Sequence, residues 1–251
     1  MAPVKVLPLL GATLCVLGKT APGEGAQPGP NATYTVKLGS EGACLSEINN
    51  VREAAGLSKF VQASEPDKKI PAYDDDGKQT WESFCKDVLR AGKNGSKASI
   101  SGDDDGDGAM HSMMVIESEK VNCQSVVDRW KEAYKGFSGM PPAPVQSSGL
   151  YERPDIVMFV SLFTPSSAAT ADCRVVTCTE TTTLTDPKQN SETRGYAFFC
   201  KTVPNALGEG GTPPFTKEQW EKIASILKAS SPAVVPSFSF VLLAAVGGVL
   251  L

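Results

Sequence analysis

Cys173-Arg-Val-Val-Thr-Cys178 is short, β-branched and bounded by cysteines, a composition that suits a strand and not a helix. Gly195-Tyr-Ala-Phe-Phe-Cys-Lys201 has the same character. The polar connector Glu180–Arg194 between them predicts an antiparallel pair. Just upstream, Ile156-Val-Met-Phe-Val-Ser-Leu-Phe163 is a nearly continuous apolar run stopped by Thr164-Pro165. Such a run is buried as either a strand or a short helix, and period alone does not choose between them.

Outward from this centre the sequence reads helical. Cys123, Val126, Val127, Trp130, Ala133, Tyr134 and Phe137 recur at helical spacing, with Asn122 as the cap and Gly136 at the fraying end. Trp81, Phe84, Cys85, Val88 and Leu89 form an earlier stripe, with Thr80 as the predicted N-cap and Gly92 as the stop. Cys44, Ile48, Val51 and Ala55 form the first, closed by Gly56. After the strands, Thr216 and Gln219 form a capping box ahead of Trp220, Ile223 and Leu227. Helices, then strands, then a helix predict an α+β fold with a small antiparallel sheet. Ser64–Gly77, residues 92–109 and Ser138–Ser148 read as exposed loops.

The two ends predict the compartment. Residues 1–18 combine Lys5 with an apolar stretch and end on Gly18, the pattern of a signal peptide, with cleavage as late as Gly25 also compatible. Residues 19–41 are Gly-, Pro- and Ala-rich and read as a flexible lead-in holding a short strand at Tyr34–Leu38. Ala229–Leu251 carries no charged side chain and runs from small residues through a Pro-containing spacer to an apolar tail. That is the signal for a glycosylphosphatidylinositol (GPI) anchor, with Ala229 or Ser230 as the attachment residue. The competing reading is a membrane helix beginning near Val234. Residues 42–228 are left as one domain.

Loss of Cys15 with the leader leaves Cys44, Cys85, Cys123, Cys173, Cys178 and Cys200. In an oxidising compartment this even set predicts three disulfides, and six cysteines allow about 15 connectivities. Loss of Lys5 takes the formal charge from −4 to −5, which gives no footprint for nucleic acid. Asn31 and Asn94 stand in glycosylation sequons.

Chemistry is thin. His111 is the sole histidine and cannot by itself complete a metal site or a Ser-His-Asp set. Asp103, Asp105, Asp107 and Gly108 match the first half of a calcium loop, but the closing acidic position is Met114, and Glu117 comes three residues late. That run and Asp74–Asp76 read as solvated acidic loops. Trp81, Trp130 and Trp220 read as core. The expectation is no catalytic residue, no metal and no cofactor.

The order of these pieces resembles the CAP superfamily of secreted proteins. Asn49, Arg52, Gly56 and Leu57 match its first-helix motif, although Ile48 stands where that motif has histidine. Trp81–Cys85, Val126–Tyr134, Asp172–Cys178 and Tyr196–Cys200 with Pro204 resemble its later elements. The chain resembles the Eimeria SAG-type surface antigens more closely, above all over residues 196–220. The resemblance implies a CAP-like three-layer α-β-α sandwich. By likeness to CAP disulfides it implies Cys85–Cys178 and Cys173–Cys200, which leaves Cys44–Cys123 by exclusion. Asn49 and Arg52 read as anchors for neighbouring loops. The implied function is that of a non-enzymatic, GPI-anchored antigen of the parasite plasma membrane that engages host cell-surface or immune molecules through loops 64–79, 92–110 and 138–152. The alternatives are a sterol or lipid carrier and a coat antigen without a specific ligand.

Overall fold

The computed structural model describes residues 31–73, 78–93, 108–183, 190–208 and 211–229. The predicted signal peptide, Asn94, Asp74–Asp76, Asp103–Asp107, Ser230 and the apolar tail lie outside the described residues.

Five strands form one sheet: β1 (Asn31–Leu38), β2 (Val61–Gln62), β3 (Met110–Ile116), β4 (Thr170–Thr183) and β5 (Asn190–Val203). The order is β1-β4-β5-β3, all antiparallel, while β2 pairs parallel with the start of β4. Among the described residues six α-helices join them: α1 (Leu45–Ala54), α2 (Lys78–Lys93), α3 (Cys123–Glu132), the single turn α4 (Ser148–Tyr151), α5 (Pro154–Leu162) and α6 (Lys217–Ala229). The fold is thus mixed helix and antiparallel sheet. Helices and strands are interleaved, however, and not segregated as the sequence order predicts.

Strand alternation sends apolar side chains to both faces of the sheet. Met114, Val175 and Phe198 point into the larger core with α1, α3, α5 and α6. Met113, Val176 and Ala197 point into a smaller cluster with Trp81, Cys85, Val88 and Leu89 of α2. Gly195 lets α2 approach closely: a Cβ there would lie 3.1 Å from both Val88 and Leu89 side chains. Three disulfides clamp the layers. Cys44–Cys123 joins α1 to α3, Cys85–Cys178 joins α2 to β4, and Cys173–Cys200 bridges directly paired positions of β4 and β5.

Several expectations are corrected here. The lead-in holds an ordered strand from Asn31, paired with β4 from Thr183 to Val176, so the domain begins before residue 42. The two central strands are also longer than their cysteine-bearing centres. In β4 the extension carries Thr179, Thr181, Thr182 and Thr183, and threonine suits a half-exposed pleat. β5 extends to match it, back to Asn190. Thr80 lies inside α2, which starts at Lys78, and Gly92 lies inside its last turn. Gly92 has open space around it, so continuing the helix through it costs only propensity, about 1 kcal/mol. The run at 156–163 resolves as helix: Pro154 opens α5, and every residue from Ile156 to Leu162 is buried. It forms the centre of the larger core and has no polar face to give a period.

The other predicted caps, at Gly56, Asn122 and Thr216–Gln219, are made. Leu57 N–H donates to Arg52 and Gly56 N–H to Glu53, at 2.9 Å each, around Gly56 at φ +72°. That is a Schellman close to α1. The Asn122 side chain accepts from Ser125 N–H at 3.1 Å. Thr216 and Gln219 exchange hydrogen bonds at 2.8 and 3.2 Å, which orients α6 to bury Trp220, Ile223 and Leu227. Thr216→Ala is expected to cost about 1 kcal/mol, read as a lower urea midpoint at unchanged m-value. No change in midpoint would mean that burial alone seats α6.

Candidate recognition surface

The residues singled out from the sequence divide into those the scaffold uses and those the surface presents. Arg52 is fully buried in the last turn of α1. Its guanidinium donates to the carbonyls of Ser58 (2.9 Å), Leu162 (2.7 Å) and Thr164 (2.8 Å) and lies 3.7 Å from the centre of the Phe60 ring. Burial pushes its pKa down to about 10, which still leaves it charged at neutral pH. Asn49, one turn earlier on α1, accepts from Phe60 N–H at 2.8 Å and donates to Phe60 C=O at 3.1 Å. The pair therefore ties α1 to segment 58–60 and to the C-terminal end of α5.

A second polar hub, which the sequence reading missed, is Asp172. It is fully buried and accepts from Ile70 N–H at 2.9 Å, from Arg174 Nε at 3.0 Å and from Gln62 at 3.4 Å. Arg174 continues to Glu41 at 2.9 Å, and Lys69 meets the same carboxylate at 3.1 Å. Lys201 donates to the Asp67 carbonyl at 2.8 Å. The only sequence signal for this hub is an acid–base pair, Asp172 and Arg174, two residues apart near the start of β4. The hub pins the base of loop 64–79 and leaves Ser64–Asp67 exposed.

His111 lies within β3, opposite Lys201, with its ring stacked on Phe199 at 5.9 Å. Among the described residues no cluster of histidine, cysteine or acidic side chains could hold a metal. Trp81, Trp130 and Trp220 are all buried. Segment 138–152 presents Met140 and Val145, the latter 71 % exposed. Its base is held by Tyr151, whose hydroxyl donates to the Pro142 carbonyl and whose pKa burial pushes up to about 12.

A cleft of about 950 Å³ lies where β3 ends. Met114, Ile116 and Val126 supply apolar wall, and Lys120, Arg129 and Glu132 line it as charged groups. Burial lowers the Arg129 pKa, and the Lys131 ammonium at 2.8 Å holds the Asp128 carboxyl below its usual range. A groove of about 680 Å³ runs past Met140, Pro165, Pro204 and Phe215. Both are open surfaces lined by apolar and polar side chains. Among the described residues no helix is long and apolar enough to cross a membrane.

Comparison with known proteins agrees with a surface role. The "Sporulated oocyst TA4 antigen" of Eimeria tenella is 24 % identical over 200 residues, covering 74 % of this chain and 75 % of that antigen. No solved structure matches significantly. The sporozoite surface antigen (SAG) protein domain matches residues 40–242, and the chain therefore belongs to that family of parasite surface antigens.

Proposed function

We propose that the protein is a GPI-anchored display scaffold on the outer leaflet of the parasite plasma membrane and that it engages host cell-surface or immune molecules without enzymatic chemistry. The observation that carries this reading is where the interior polar groups point. Asn49, Arg52, Asp172 and Lys201 all bond to this chain's own backbone, so the buried chemistry serves the scaffold and recognition falls to the exposed loops. Helical cover on both sheet faces, with Asn49 and Arg52 at the first-helix positions, favours a CAP-like three-layer α-β-α arrangement. The charge-free stretch from Ala229 supports the anchor.

The test uses the full chain on the surface of a eukaryotic cell. Phosphatidylinositol-specific phospholipase C is expected to release it. Released wild-type protein is expected to bind host epithelial cells saturably, and replacing the exposed residues Ser138, Gly139 and Met140 with a Gly-Ser linker is expected to weaken binding by about tenfold or more. Retention on the membrane would refute the anchor. Unchanged binding after this and the equivalent changes in 64–68 and 92–109 would refute the loop reading.

A further inference from the structure

The edge of the sheet carries information beyond display. β4 and β5 stay paired from Thr170↔Val203 to Thr183↔Asn190, but β3 leaves β5 at Ile116↔Tyr196. From Asn190 to Gly195 no described strand pairs the outer edge of β5. The 950 Å³ cleft opens where β3 turns away and is lined by Arg194, Gly195 and Tyr196, so the described residues leave room beside that edge. An unpaired edge offers backbone N–H and C=O groups as a template for another strand.

The charges on the edge select the strand. Glu192 and Arg194 lie two residues apart, hence on one face of β5. They are 3.4 Å apart, with side chains 56 % and 61 % exposed. Two copies of this strand, antiparallel and centred on Thr193, place Glu192 of each opposite Arg194 of the other. Moving the centre by one residue sets Glu192 against Glu192 or Arg194 against Arg194. Parallel in-register pairing sets both like charges together. Opposite charges directly across a ladder stabilise it, and like charges destabilise it. The pattern is therefore complementary to itself in one register and hostile to its neighbours.

We propose that the protein self-associates through the free edge of β5, antiparallel and centred on Thr193, forming one continuous sheet β1-β4-β5-β5-β4-β1 with twofold symmetry. The contact is short, so it suits copies concentrated on one membrane, where the effective concentration is high. It is independent of any host ligand, and blocking host binding leaves it intact.

The experiment co-expresses two differently tagged full chains on one cell and measures co-precipitation after brief chemical cross-linking. Wild type is expected to capture wild type. Glu192→Arg with itself and Arg194→Glu with itself are each expected to fall by about tenfold. Glu192→Arg paired with Arg194→Glu restores opposite charges at both positions and is expected to return to near the wild-type level. Recovery in that mixed pair also shows that both single variants are folded. Absence of wild-type capture, insensitivity to either reversal, or failure of the mixed pair to recover would each overturn the proposal.

Discussion

Arg52→Met is expected to lower the melting temperature by about 8–16 °C, the equivalent of roughly 4 kcal/mol in a domain of this size. Methionine fills most of the same volume but donates nothing. The buried carbonyls of Leu162 and Thr164 and the part-buried one of Ser58 would lose their donor together, and each unsatisfied buried group costs about 1–3 kcal/mol. Leu162 is the last residue of α5, so Arg52 also neutralises the negative end of that helix. Relief of guanidinium desolvation returns part of the loss, since burial alone disfavours the charge. Arg52→Lys is expected to fall between the two, because an ammonium cannot reach three carbonyls as a planar fork does. Thermal unfolding followed by near-ultraviolet circular dichroism measures both. A methionine variant within about 3 °C of wild type would show that other groups satisfy those carbonyls.

Removing Cys85–Cys178 is expected to be the most damaging of the three disulfide deletions, at about 4–5 kcal/mol by loop closure. It closes a separation of 93 residues, against 79 for Cys44–Cys123 and 27 for Cys173–Cys200. It is also the bond that holds α2 against β4, at the centre of the smaller cluster with Trp81, Val88, Leu89 and Met113. Cys173–Cys200 joins strands already bonded along fourteen residue pairs, so its loss leaves the hairpin ladder in place. Urea unfolding of the three double-alanine variants gives the ranking directly. Hydrogen exchange should show α2 opening first in the Cys85→Ala/Cys178→Ala protein. If the Cys173→Ala/Cys200→Ala protein were the least stable, the loop-closure argument would be wrong for this fold.

The features legible in the sequence are those in which a residue acts on its own neighbours. Gly56, Asn122 and the Thr216–Gln219 box close or open helices through bonds within a few residues. The stripes of α2, α3 and α6 bury one face each, so their period survives in the sequence. β3 is not legible because Met113 and Met114 are buried on opposite faces, which removes the alternation, and methionine has no β-branch to mark a strand. α5 is ambiguous for the same reason, being surrounded by core.

Sequence alone thus determined the cysteine-stapled mix of helices and antiparallel sheet, the close of α1, the starts of α3 and α6, and the centres of the two central strands, all of them local or compositional properties. Only the tertiary structure decided that Arg52 and Asp172 are interior backbone anchors, because their partners lie about a hundred residues away along the chain. It alone decided that β3 leaves β5 early, which leaves Glu192 and Arg194 on an edge that no described strand pairs. Long-range pairing creates an edge where one strand ends before its neighbour, and no residue signals from its own sequence that its neighbour will end.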